Sequence, residues 1–242
     1  MNIRTISLCL GANVNAMTQH HRRNLLHFIC DRAQSEQTDN NLLEMARFLI
    51  QLGCNVNHRD DCFETPLMCT LHHGGNLSLG KLILQRRSKF NVILTNLSIL
   101  AHELIVEGTE LDLKNNFGNT YLTRAVHYAL YDHARMALYA GAPCRAWQCS
   151  FPYINRNYHQ EASTSNETTL MDAIVDYQNF MAEFEFYLIQ PRKLKDIARL
   201  SLRKRLPAPL SKSSKDLVQF LPGSLIDYVM LKDMKTALNF DF

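Results

Sequence analysis

The chain has 242 residues, of which 46% are apolar and 20% charged, with 9 Gly and 7 Pro. That is enough to bury a sizeable core in one large domain or two small ones, and it excludes a disordered chain. The formal charge of +3 is uneven, because residues 191–215 hold nine Lys/Arg and one acid, and the remainder holds 17 bases and 22 acids. The body therefore carries no electrostatic footprint for nucleic acid.

No apolar run approaches the ~20 residues of a membrane span, and Ile6–Leu10 is too short for a signal peptide. The seven cysteines, Cys9, Cys30, Cys54, Cys62, Cys69, Cys144 and Cys149, are odd in number and irregularly spaced. They read as buried free thiols rather than a disulfide framework, in a reducing and intracellular setting.

Four segments then share a leucine-rich helical end, a glycine and a short loop: "LCLGANVNA" (8–16), "LIQLGCNVN" (49–57), "LIVEGTELD" (104–112) and "LYAGAPCRA" (138–146). Gly11, Gly53, Gly108 and Gly141 stand where a left-handed residue ends a helix. A second element follows each: "NLLHFI" (24–29), "TPLMCT" (65–70), "TYLTRA" (120–125) and "TTLMDA" (168–173). Its Thr is placed to cap a helix, Pro66 suits the first helical turn, and Leu67, Leu122 and Leu170 point inward. Gly108 and Gly141 lie 33 residues apart, and Thr120 precedes Gly141 by 21.

This pattern resembles the ankyrin repeat, whose helix opens on T-P-L-H-x-A. The period stretches elsewhere, with a polar insert "DRAQSEQTDNN" (31–41) and 43 residues from Thr65 to Gly108. There, "LGKLILQRR" (79–87) can serve as a second helix, leaving 88–107 as a shortened extra repeat, or the stretch is a simple insertion. The chain starts almost directly with a second-helix end, "IRTISLCLG", so a shortened N-terminus or an exposed first helix is expected. Units that cannot bury their own faces must stack, so the expected fold is all-α, a solenoid of four to five irregular repeats over 1–190.

No catalytic constellation stands out. "HHGGNLSLGK" (72–81) lacks the phosphate-loop spacing, and the cluster Cys62, Cys69, His72 and His73 is not expected to bind zinc, because Cys69 and His72 fall on a repeat's first helix, where packing accounts for them. Asp132 and His133 open a helix. The chain is not expected to be an enzyme or to need a cofactor or metal. The long loop 142–167 offers Trp147, Phe151, Tyr153 and Arg156 as candidate target-binding residues, or as a cover for the final repeat.

Pro191 ends the helix carrying "FMAEFEFYLIQ" and opens "PRKLKDIARLSLRKRL" (191–206). Leu194, Ile197, Ala198, Ser201, Leu202 and Leu206 form one apolar stripe, and the seven bases read as solvated faces. A loop, "PAPLSKSS" (207–214), precedes "KDLVQFLPGSLIDYVML" (215–231), where Leu221–Pro222 breaks a helix and Leu225, Tyr228 and Val229 begin a second stripe.

The segment resembles a SOCS box, here of three helices over 191–231 with a tail at 232–242, and its place after the repeats resembles the ankyrin-repeat and SOCS-box family. The resemblance implies that Leu194, Ile197, Ala198 and Leu202 bind elongin C, which pairs with elongin B. It also implies that Leu221, Pro222, Leu225 and Tyr228 bind a cullin carrying its RING protein. Ala198 stands where the family has cysteine, a loss of ~1 kcal/mol in buried contact, and Ser224 replaces a proline. The expected function is a substrate receptor of a ubiquitin ligase, cytoplasmic and with the nucleus also compatible, holding a protein target and neither nucleic acid nor membrane. The alternative is a scaffold or inhibitor whose last helices only cap the solenoid.

Overall fold

The computed structural model describes residues 13–32, 40–71, 90–128, 130–143, 175, 178–185 and 193–238, and all regular structure among them is helical. Helix α1 (Leu25–Arg32) buries Leu26, Ile29 and Cys30 at i, i+3 and i+4, and α2 (Asn40–Leu52) buries Ala46, Leu49 and Ile50. The short α3 (Pro66–Cys69) starts where Thr65 accepts a bond from the Met68 N–H at 3.3 Å, with Pro66 at its first position. Helix α4 (Phe90–Val106) turns Leu97, Leu100, Ala101, Leu104 and Ile105 inward.

Helix α5 (Tyr121–His127) opens on a capping box between Thr120 and Thr123, and α6 (Tyr131–Tyr139) runs back against it. A helical segment at 178–185 follows, whose Phe180 stacks on Tyr131 with ring centroids 4.9 Å apart.

The packing has two layers: α1 lies on α3, while α2, α4 and α6 neighbour one another in turn. Deleting a fully buried side chain such as Leu104 would cost ~2–5 kcal/mol. His133 ties three helices, its Nδ1 bonded to the Tyr121 hydroxyl at 2.6 Å and its Nε2 to Ser98 Oγ at 3.2 Å. It is thus a core residue rather than only a helix opener. Burial depresses its pKa to about 4, so the ring is neutral at pH 7.

Three helices end alike. Gly53, Gly108 and Gly141 have φ of 94°, 91° and 96°. In each the glycine N–H bonds three residues back and the next N–H five residues back, as in Cys54→Leu49, Thr109→Leu104 and Ala142→Ala137. Asn15 and Asn57, each four residues past a glycine in the sequence, staple neighbouring loops. Asn15 donates to Gly53 O at 3.3 Å and accepts from Asn55 N–H at 2.7 Å. Asn57 does the same with Gly108 O and Glu110 N–H, at 3.4 and 2.8 Å.

The described residues correct several expectations. Residues 90–106 form one unbroken helix, so 88–107 is not a two-helix unit of its own. Cys30, Cys54 and Cys69 are buried thiols, but Cys62 is exposed at a loop tip.

The stretch 207–214 is not all loop, because α8 (Leu210–Leu217) begins inside it. Its weak helix formers are supported from outside: Leu210 and Ser211 N–H groups donate to Glu107 O and Oε2 at 3.0 and 2.9 Å. Helix α7 (Leu194–Arg205) precedes it, and α9 (Gly223–Val229) and α10 (Met234–Ala237) follow. Leu231 and Met234 of this last part join the main core, with Leu238 packed against it.

Candidate functional site

The C-terminal module lies across the three glycine ends. A Cβ on Gly141 would lie 2.3 Å from Leu200 Cδ2, one on Gly108 2.8 Å from Leu210 Cγ, and one on Gly53 2.6 Å from Lys212 Nζ. A side chain at any of the three would force Leu200, Leu210 or Lys212 to shift, and the positive φ favours glycine independently.

Helix α7 is held by its arginines. Arg203 donates to Ile105 O at 2.6 Å, which also accepts the Gly108 N–H, to Val106 O at 3.2 Å at the end of α4, and to Val229 O at 2.8 Å on α9. Burial, with Arg199 nearby, lowers its pKa to about 10, which leaves it charged at pH 7. Arg199 is 3% exposed and lies between the rings of Tyr139 and Tyr228, 4.9 and 4.5 Å from their centroids. Asp196 and Asp233 flank it at 3.5 and 3.6 Å. The reading of the bases as solvated faces therefore fails for Arg199 and Arg203, which are the docking face of the helix.

The apolar stripe points the other way. Leu194 is 82% exposed, Ile197 50% and Leu202 42%, and Ala198 is exposed between them. An amphipathic helix ordinarily buries its apolar face; here the fold leaves it open.

The second candidate set divides. Leu225 (49% exposed) and Pro222 face outward, together with Val218 and Phe220, whose exposure the sequence pattern did not single out. Leu221 packs against the small cluster of Leu210, Ile226 and Met230. The Tyr228 hydroxyl donates to Asp196 Oδ1 at 2.5 Å, joining α9 to α7, and burial followed by this bond pushes its pKa up to about 12. Trp147, Phe151, Tyr153 and Arg156 lie outside the described residues.

No protein-family model matches the chain, and no curated protein matches it in sequence.

A cleft of about 440 Å³ separates Thr109–Asp112 from Leu206–Ala208, with Arg203 and Lys204 along one side. Among the described residues no three His, Cys, Asp or Glu side chains converge as metal ligands, and no helix is long and apolar enough to cross a membrane.

Proposed function

We propose that the chain is a substrate receptor of a cullin–RING ubiquitin ligase, built as an ankyrin-repeat solenoid followed by a SOCS box. The observation that carries this reading is the exposed stripe of α7. Leu194, Ile197, Ala198 and Leu202 remain open to solvent on a helix whose arginines anchor it to the body. Fully burying a Leu side chain is worth ~1.5–3 kcal/mol, so a rigidly held row of them favours a helix-in-groove partner. Elongin C, paired with elongin B, takes that role. A cullin with its RING protein takes Pro222 and Leu225, with Leu221 and Tyr228 shaping the turn that presents them.

The chain supplies no bond chemistry and no cofactor. It raises the effective concentration of target lysines near a charged ubiquitin-conjugating enzyme.

A second reading, a scaffold or inhibitor whose last helices only cap the solenoid, draws on Leu200 over Gly141 and Leu210 over Gly108. It accounts for the buried side of α7 and leaves the exposed side without a purpose. Co-expression with elongins B and C separates the two. The wild type should co-purify with both, and Leu194→Arg should lose them while remaining folded, since Leu194 is 82% exposed. If the wild type brings down no elongin, or the variant brings down as much, the receptor reading is wrong. Cullin capture should then be lost in Leu221→Ala/Pro222→Ala and in the exposed-site variant Leu225→Arg; capture retained by both removes the cullin assignment.

A further inference from the structure

The C-terminal module covers the glycine ends of the loops and leaves their far tips open. These tips are joined into one edge. The Asp61 N–H donates to His21 O at 3.2 Å, and the Asn116 N–H donates to Cys62 O at 3.0 Å. Asn116 Nδ2 adds a bond to Asp61 O at 3.2 Å. Side chains on successive tips therefore stand at fixed spacing.

Two of them are exposed phenylalanines, Phe117 at 80% and Phe63 at 48%. Neither is needed by the core. Phe63 also has a φ of 58°, at the position where the next loop uses Gly118. A bulky aromatic is thus kept at a backbone conformation that glycine would adopt freely. Its ring is held by Arg59, whose guanidinium lies 4.4 Å from the ring centroid while donating to Lys114 O at 2.6 Å and, more weakly, to Phe63 O at 3.4 Å.

The surroundings are basic. Arg22 and Lys114 are exposed, Arg59 is half-exposed, and none has a carboxylate in ion-pair range among the described residues, although Asp61 is exposed on one tip and Asp112 two residues before Lys114. This contrasts with a body in which acids outnumber bases outside 191–215.

The geometry points to the joined tips, Phe63 and Phe117 flanked by Arg22, Arg59 and Lys114, as a docking surface for an extended acidic protein segment carrying apolar side chains. Its bases complement carboxylates, its rings take the apolar side chains, and aromatic and Arg residues are the usual anchors of such contacts. A single-stranded nucleic acid fits less well. Arg59 already occupies one face of Phe63, which leaves that ring a single face on which a base could stack. As the target-holding face of a ligase receptor the surface rests on the function proposed above; binding at the tips is measured without elongin.

The test pans a display library of random short peptides on the immobilised full chain. Enriched peptides are synthesised and their Kd measured by fluorescence polarisation, with oligodeoxythymidine as the nucleic-acid probe. The expected peptides carry an apolar residue among Asp and Glu and bind more weakly as salt rises. Phe117→Ser, Phe63→Gly and Lys114→Glu should each weaken binding by about tenfold, and Leu194→Arg should leave it unchanged. Phe63→Gly relaxes its own backbone, so a loss there is not a loss of folding. The proposal is overturned if enriched peptides show no acidic excess, if Phe117→Ser and Phe63→Gly both bind as wild type, or if oligodeoxythymidine binds more tightly than the acidic peptides. Failure of elongin capture with tip binding intact would remove the ligase reading alone.

Discussion

Arg203 caps a helix 98 residues earlier in the chain, donating to Ile105 O at 2.6 Å. The contact joins the end of α4 to the C-terminal module through a group that is largely out of water. Truncation to Ala takes the charged donor from Val106 O and Val229 O and leaves Ile105 O only its bond from the Gly108 N–H, and should cost ~2–3 kcal/mol by the scale of charged hydrogen bonds. Urea denaturation of Arg203→Ala checks this. Arg203→Lys should recover only part, since an ammonium cannot span three carbonyls in the same plane.

Gly141 and Gly118 separate two costs. Both have positive φ, 96° and 76°, but a Cβ meets Leu200 at Gly141 and nothing within 4 Å at Gly118. Gly118→Ala should cost only the backbone term, ~1–2 kcal/mol. Gly141→Ala should cost clearly more, and the excess should shrink when Leu200→Ala is added. A double-mutant cycle reads the coupling directly; an excess untouched by Leu200→Ala would show that the contact is not its source.

Arg22 has a φ of 49°, two residues before Asn24, as Gly118 stands two before Thr120. Arg22→Gly relieves that conformation and gives back part of the gain as added freedom of the unfolded chain. A net stabilisation of ~0.5–1 kcal/mol is expected, seen as a higher urea midpoint with an unchanged slope.

Acid should destabilise the fold through histidine. His27, His102 and His133 are all lowered to about 4, each chiefly by desolvation. In the unfolded chain they titrate near 6.5. The folded form therefore binds fewer protons between these values, and stability is full above pH 6.5 and falls as pH drops toward 4. The slope approaches 1.4 kcal/mol per pH unit for each proton taken up on unfolding. Urea midpoints at a series of pH values from neutral to mildly acidic check the sign; a midpoint flat over that window would contradict it.

Much of the fold was legible where a local rule acts alone. Thr65 and Thr120 cap the helices they precede, and Gly53, Gly108 and Gly141 end theirs in the left-handed conformation. The stripe Leu194, Ile197, Ala198, Leu202 does lie along one side of a helix.

What was not legible depended on distant partners. Periodicity says which residues share a face and not which face is covered, so the burial of Arg199 and Arg203 had no local signal. The left-handed residues Arg22 and Phe63 carry no glycine to mark them; the loop hydrogen bonds hold them there. Helix α8 looked like a loop because its support, Glu107, stands 104 residues from Ser211. The repeated "NVN" after the first two glycine positions was the one available sign of the Asn15 and Asn57 staples.

The contacts of the C-terminal module run against chain order, with Leu200 on Gly141, Leu210 on Gly108 and Lys212 on Gly53. A stack in which each unit touches only its neighbours can fray from either end. Here the segment from Leu200 to Lys212 is a strap laid over three helix ends, so loosening any one of them loosens a common fastening. During synthesis the strap emerges after the helices it covers. Until it does, the three glycine notches stand open, and a chain cut short before α7 would keep its helices and lose the clasp that makes them open and close together.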